Sequence, residues 1–390
     1  MTRDFNRKPV FWSAYLGMLL FGIGLLTLGS VLPDLMSKHS LDAVGAGTLF
    51  SIMPLGIIGG SLLFGPVCDR YGYKPLLVLS SLLMFAGFEG LALTNTTGLL
   101  TISVLMIGLG GGAINGATNA VVADISTTGK GADLSLLGVF FGIGALGMPL
   151  LLSILEKSVD FEVIISATGF LALAAALIFF LVVFPPAKQS GGISMKMISG
   201  LVSDGVILLI AFFLFFQSAF EGLINNWTTT YLIDHLSVSQ SSALIALSSY
   251  VAGMTVTRLL IGSVLRNVPE KTLLFSSFVV IFAALVLIWV SGSVTMAAAA
   301  FALLGTGLAA GFPTMLGIVG NRYPDISGTA FSFVMAVALI GNILVNYSMG
   351  LVTENFGITH LTTFTFAELA LLVILGVMIF RKLKHNPTKS

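Results

Sequence analysis

Gln217, Glu221 and Asn225 stand at i, i+4 and i+8 in an otherwise apolar stretch, and Asn226, Trp227, Thr228, Thr230 and Tyr231 follow within two turns. On a helix the first three share a face. An ionised carboxylate in hydrocarbon costs about 2.5–3.5 kcal/mol on insertion scales, so Glu221 must face a cavity, find a partner or carry a proton. A group that takes up and releases one proton per cycle is what proton coupling requires. Gln217, Asn225 and Asn226 offer the paired donors and acceptors that suit hydroxyl groups, and Trp227 offers a flat apolar face for a sugar ring. Trp227 and Tyr231 equally suit an interfacial aromatic belt, and Gln217 equally suits helix-to-helix hydrogen bonding.

Other polar residues interrupt apolar runs. Asn115 and Asn119, like Asn342 and Asn346, are four apart and share a face. The first pair can serve as ligands or as interhelical glue; the second is expected to pack helices. Arg258 is expected to form a conformational charge pair or to snorkel to the interface rather than to serve as a substrate ligand. Glu89 and Glu368 are secondary candidates for proton coupling, or else partners of a neighbouring helix or the lipid interface. The four histidines, His39, His235, His360 and His385, fall in predicted loops or tails, which disfavours a histidine relay or a metal site, and no nucleophile has an aligned base. Gly108, Gly110, Gly111, Gly112 and Gly116 look like a phosphate loop, but no Lys-Ser/Thr follows them, so no nucleotide cofactor is expected.

The elements that must carry these residues are set by composition. Of 390 residues, 56% are hydrophobic and 9% charged, and the mean hydropathy is +1.03. So few polar groups cannot coat a water-soluble protein of this size, so the bilayer must be the main solvent. A spanning helix needs about 20 apolar residues. Twelve stretches qualify, near 10–33, 42–67, 75–94, 98–123, 133–155, 160–184, 204–233, 240–265, 271–290, 294–320, 327–351 and 359–380. The first is too long for a signal peptide and lacks a small-residue cleavage site.

The chain also repeats itself. Shifted by 197 residues it aligns without a gap from about 58 to 153, pairing Gly65 with Gly262, Lys74 with Lys271, Ser80 with Ser277, Gly108 with Gly305, Gly110 with Gly307 and Gly144 with Gly341. A shift of 200 pairs Gly22 with Gly222 and Asp34 with Asp234. The expected fold is an all-α membrane protein, twelve transmembrane helices in two pseudo-symmetric six-helix bundles. The bundles cover 1–184 and 204–390, joined by a cytoplasmic linker, 185–203, that holds Pro185, Pro186, Gly191 and Gly192. Placing both termini in the cytoplasm puts fifteen of the 18 Lys and Arg inside and only Lys38 and Lys157 outside, with Arg258 in a span. That asymmetry predicts a multi-pass protein of a bacterial-type inner membrane with cytoplasmic termini. The net charge of +1 gives no ground for nucleic-acid binding. Cys68 stands alone, so no disulfide forms within the chain.

Between the second and third spans lies Gly65, Pro66, Val67, Cys68, Asp69, Arg70, Tyr71, Gly72, Tyr73, Lys74, Pro75. This resembles the loop signature of the major facilitator superfamily, G-x-x-x-D-R-x-G followed by two basic residues, with Tyr73 in place of the first. The resemblance, extended by the twelve spans and the repeat, covers essentially the whole chain. In that family this loop acts as a gate whose charge contacts hold one side shut, which implies such a role for Asp69 and Arg70, with Gly65, Lys74 and Arg258 as further gate candidates; a topogenic loop that merely anchors the span is the alternative. The resemblance also implies that the fourth span, with Asn115 and Asn119, lines a central pathway. In the repeat copy Arg266 replaces Asp69 and Pro269 replaces Gly72. The stretch from Glu221 to Leu232, and the run Phe141, Gly142, Ile143, Gly144, Ala145, Leu146, Gly147, Met148, Pro149, are similar to the fucose-proton symporter branch. Met148 is inserted relative to that pattern, and the first span lacks the polar residues that usually line a sugar site.

Together these features predict a secondary active transporter, not an enzyme, working by alternating access as a monomer. Its partners are a small polar solute, a sugar in the first instance, protons, and the lipid bilayer. A proton-driven exporter of amphipathic compounds is the alternative, since the 15 Met and 30 Phe suit a greasy cavity, although the fourth span lacks the arginine common in such exporters. A nutrient sensor that binds without transport is a third reading.

Overall fold

Hydrocarbon offers no partner to a free N–H or C=O, so each apolar stretch closes its backbone hydrogen bonds on itself as a helix. The computed structural model describes residues 5–126, 130–155, 158–185, 204–262, 264, 268–323 and 327–385. Among them are fourteen helices and no strand. They are α1 Arg7–Ser30, α2 Leu32–His39, α3 Ala43–Tyr71, α4 Tyr73–Leu93, α5 Thr97–Ile125, α6 Lys130–Leu155, α7 Phe161–Leu181, α8 Gly205–Leu236, α9 Gln240–Gly262, α10 Glu270–Trp289, α11 Val294–Leu308, α12 Gly311–Arg322, α13 Ser327–Phe356 and α14 His360–His385. Twelve segments among the described residues are long and apolar enough to cross a membrane, α11 and α12 forming one of them.

Three departures from uninterrupted spans have local causes. The first span stops at Ser30 because Pro33 has no N–H to continue it, and Pro33 instead starts α2 in its first turn. The tenth breaks between Leu308 and Gly311, where Pro313 can donate nothing to the Ala309 carbonyl. Between the second and third spans there is scarcely a loop. Asp69 and Arg70 belong to α3, and Gly72 alone, at φ 83°, turns the chain into α4.

The chain divides into two compact units, Met1–Gly191 and Gly192–Ser390. Of the segment expected as a linker, 186–203, with Lys188 and Lys196, lie outside the described residues, as do Lys157 and Arg266. In the first unit α3 and α4 pack on α5, α1 on α6 and α4 on α7; in the second α9 and α10 pack on α11, α8 on α13 and α10 on α14. The sequence repeat is thus a repeat of helix pairings, and it extends to single contacts. A Cβ on Gly108 would strike the Met53 carbonyl, and one on Gly305 the Tyr250 carbonyl. Gly56 lies against the Leu105 carbonyl as Gly253 lies against that of Ala302. Gly110 abuts the Ser80 carbonyl, and Gly307 that of Ser277. Each partner is displaced by the same 197 residues as its glycine. These glycines set backbone-to-backbone contact between helices that apolar burial alone does not drive together in lipid.

Polar ties join the helix ends. Lys38 reaches from α2 to the Ala92 carbonyl at 2.8 Å and to Glu162 at 3.3 Å. Tyr73, the residue that departs from the signature, donates its hydroxyl to Asp124 of α5 at 2.7 Å. Arg70 lies over the ring of Tyr71 and Lys74 over that of Phe180, at 5.2 and 5.0 Å; the side chain of Asp69 is outside the described set. In the second unit Asp204 caps α8 by accepting from the Val206 N–H, while its other oxygen accepts from Arg322 Nε, each at 2.7 Å, and from the Tyr323 hydroxyl. Burial pushes this carboxyl up, but the hydrogen bonds from Tyr323, Arg322 and Val206 and the charge of Arg322 outweigh it, leaving the group below its ordinary value.

Gly305→Val should lower stability by about 1–3 kcal/mol through overpacking against backbone. Gly138→Ala, in a helix and facing open space, should be neutral or stabilising by up to about 1 kcal/mol. Thermal unfolding in detergent compares the two. Because the folded Asp204 carboxyl titrates below its ordinary value of 3.8, its contribution is complete above that pH and is lost as pH falls through the depressed value. Asp204→Asn should therefore lower the unfolding temperature near neutrality and flatten the acid limb of its pH profile.

Candidate functional site

In the second unit several intramembrane polar groups meet around the middle of α8. Gln217 is 1% exposed. Its amide nitrogen donates to Glu221 Oε1 at 2.9 Å, one turn on, and to the Leu308 carbonyl at 3.0 Å. That carbonyl is the last of α11, at the break in the tenth span. Gly311 makes the contact possible, since a Cβ there would overlap the Gln217 amide.

From α9, Arg258 brings Nη2 to 3.4 Å from Glu221 Oε2 and 3.5 Å from Oε1. Of the two outcomes expected for Arg258, the geometry is that of a charge pair. The distances are long for a bidentate guanidinium–carboxylate contact, and Arg258 Nε is buried without a hydrogen-bond partner. Two turns earlier on α9, Tyr250 is 1% exposed, its hydroxyl unbonded, within electrostatic reach of both Glu221 and Arg258.

Towards the end of α8 the network passes to α13. Asn346 Oδ1 accepts from Asn226 Nδ2 at 3.0 Å and from Trp227 Nε1 at 3.2 Å. Asn346 donates to the Asn342 carbonyl at 2.9 Å and side-chain oxygen at 3.1 Å, and Asn342 donates to the Ser218 carbonyl at 2.9 Å. Gly222 leaves room for both amides. Trp227 therefore differs from both expectations. It is fully buried and offers neither an open stacking face nor a belt position, because its N–H is drawn onto Asn346. Tyr231 is also buried, stacked on His235 with centroids 5.1 Å apart. Asn225 keeps a buried oxygen without a partner.

Four further candidates lie on other helices. Asn119 donates to the Asn115 carbonyl and side-chain oxygen at 2.9 and 3.0 Å, so the pair closes on its own helix. Glu89 accepts from Ser166 of α7 at 3.0 Å on each oxygen and lies beside Gly169, the neighbouring-helix role. Glu368 on α14 is 4% exposed with neither oxygen hydrogen-bonded.

Sequence reasoning missed Tyr250, Gly311 and the Leu308 carbonyl. The signals were present, in the eight-residue spacing of Tyr250 and Arg258 and in Gly-Phe-Pro at 311–313 inside an apolar span.

A helical membrane protein with an internally repeated pair of six-span units and an acid–base pair inside a span is built as a transporter. The chain matches the Major Facilitator Superfamily over residues 14–345, with a further match over 210–390, and it belongs to that family. It is 23% identical over 405 residues to the glucose/mannose transporter GlcP of Bacillus subtilis (strain 168), covering 97% of each chain. It is 26% identical over 275 residues to the cis,cis-muconate transport protein of Acinetobacter baylyi (strain ATCC 33305 / BD413 / ADP1), covering 67% of this chain and 65% of the relative. The crystal structure of the nucleoside transporter NupG superposes with a TM-score of 0.78 at 16% identity, over 97% of this chain and 99% of that one. The protein is a multi-pass membrane transporter of small molecules, not an enzyme.

Asn346→Leu removes the side-chain oxygen that accepts from Trp227 Nε1 and Asn226 Nδ2. It should lower stability by about 1–3 kcal/mol, read as a lower unfolding temperature in detergent.

Proposed function

We propose that the protein is a secondary active symporter that couples uptake of a small polar solute, a sugar, to protons through alternating access, with Glu221 as the proton carrier. The observation that carries this is the Glu221 carboxyl, part-buried in an apolar span with its side chain 15% accessible, and balanced by one amide and one loosely held guanidinium. Such a group can be met by its neighbours in either protonation state. Ionised, it is matched by Arg258; protonated, it needs only the Gln217 hydrogen bond and frees Arg258. A switch of that kind lets a proton alter what α8 and α9 hold together. Gln217, Asn225 and Asn226 carry the hydroxyl-binding chemistry, with Asn115, Asn119, Trp227 and Tyr231 as further contacts in other states of the cycle. Gly65, Asp69, Arg70 and Lys74 form the gate. The bias of basic residues supports cytoplasmic termini in a bacterial-type inner membrane. The sugar assignment draws on GlcP, named for glucose and mannose, while the second relative is named for cis,cis-muconate.

In proteoliposomes with an imposed inward proton gradient and labelled sugars, Glu221→Gln should lose uphill accumulation by at least about tenfold, while solute exchange across the same membrane persists. Accumulation by the variant at the wild-type level would remove Glu221 from coupling. Glu368 would then be the acid to test.

A further inference from the structure

Glu221 and Arg258 do not satisfy each other. At 3.4 and 3.5 Å from the carboxylate, Nη2 makes contacts well beyond the 2.7–2.9 Å of a strong charge-assisted hydrogen bond. Arg258 Nε is buried and unbonded, and so is the Tyr250 hydroxyl on the same face of α9. A guanidinium edge and a phenol within electrostatic reach of each other and of Glu221 thus present unused donors, while Glu221 also takes the Gln217 amide. Buried donors left without acceptors are costly unless something else fills them. The side chain of Arg258 is 33% accessible, so the filling group has a way to reach it.

We propose that Arg258 and Tyr250 form the binding subsite for an anionic group of the transported solute, a carboxylate on a hydroxylated carbon chain of the sugar-acid class, and that Glu221 is the internal stand-in for that carboxylate. This rests on the transport reading and narrows its substrate. With Glu221 ionised, the pair with Arg258 is neutral and a second carboxylate is repelled. When Glu221 takes a proton, Arg258 is left with an unmatched charge and its planar fork accepts the solute carboxylate, while the Tyr250 hydroxyl donates to the same group. One proton and one anion then bind together, leaving the charge of the cluster unchanged, so coupling follows from electroneutrality inside a low-dielectric span. The groups facing Glu221 are Gln217 on its own helix and Arg258 and Tyr250 on α9. On α13, Asn342 and Asn346 are neutral and direct their amides to the Ser218 and Asn342 carbonyls. On α14, which also packs on α8, Glu368 is buried without a hydrogen bond.

The test is ligand-induced thermal stabilisation of the purified full-length protein with matched pairs, glucose against gluconate and galactose against galacturonate, from about pH 8 down to about pH 5, where these acids stay ionised. The acids should bind more tightly than their neutral partners, with acid affinity rising as pH falls. Glu221→Gln should bind the acids without that pH dependence. Tyr250→Phe should weaken them about tenfold and Arg258→Gln by at least about thirtyfold. Should Arg258→Gln misfold because it strands Glu221, the Glu221→Gln, Arg258→Gln double variant removes both charges and must fold without binding acids. Neutral sugars binding as well as their acids, or acids binding the double variant, would overturn the subsite and leave the sugar-symport reading standing. Stabilisation by neither class would overturn both.

Discussion

Helices in a bilayer gain nothing by hiding apolar side chains from one another, since lipid tails are as apolar as leucine, so association depends on how closely two backbones can approach. That constraint explains why the repeat is written in glycine. Gly56 with Gly108, and Gly253 with Gly305, interlock the same helix pair in each unit, each against the carbonyl of a residue one repeat away from its counterpart. Leucines and alanines around them can drift, because any apolar group faces lipid or fills a gap equally well. A Cβ at the crossing cannot be accommodated without moving a backbone. The two units therefore keep their crossings while their polar content diverges.

Divergence is concentrated where polar groups enter the second unit. Met53 and Tyr250 occupy the same place in the repeat, yet only the second brings a hydroxyl to the helix pair, and Phe21 stands where Glu221 would be expected. Arg258 has Ser61 as its counterpart. One bundle thus holds an ion pair, an amide bridge to a broken helix and an asparagine chain, while the other keeps its acid, Glu89, against a serine. The broken tenth span belongs to the same pattern. A free carbonyl inside a membrane helix has to be answered by a side chain, and Gln217 answers it.

The signature between the second and third spans shows the limits of reading a motif as a loop. Its residues are helical up to Tyr71, and one left-handed glycine makes the whole turn. The tyrosine that replaces a basic residue supplies a hydrogen bond to Asp124 where a charge pair would otherwise be expected. The corner is held in either case, but with a neutral donor.

Composition, the spacing of apolar runs and the offset of 197 residues determined that the chain spans a membrane with duplicated six-helix units, because hydrocarbon permits only helices at that length and glycine positions survive duplication. Helical period alone put Gln217, Glu221 and Asn225 on one face and marked Glu221 as the acid to watch. What the sequence left open was pairing between helices, since 3.6-residue periodicity says which side chains share a face and nothing about what that face meets. Only the tertiary structure decided that Arg258 answers Glu221, that Gln217 spends its amide on the Leu308 carbonyl, and that Trp227 is buried on Asn346 with no free face for a ring. Those contacts join residues 37 to 119 positions apart, and packing alone brings such residues together.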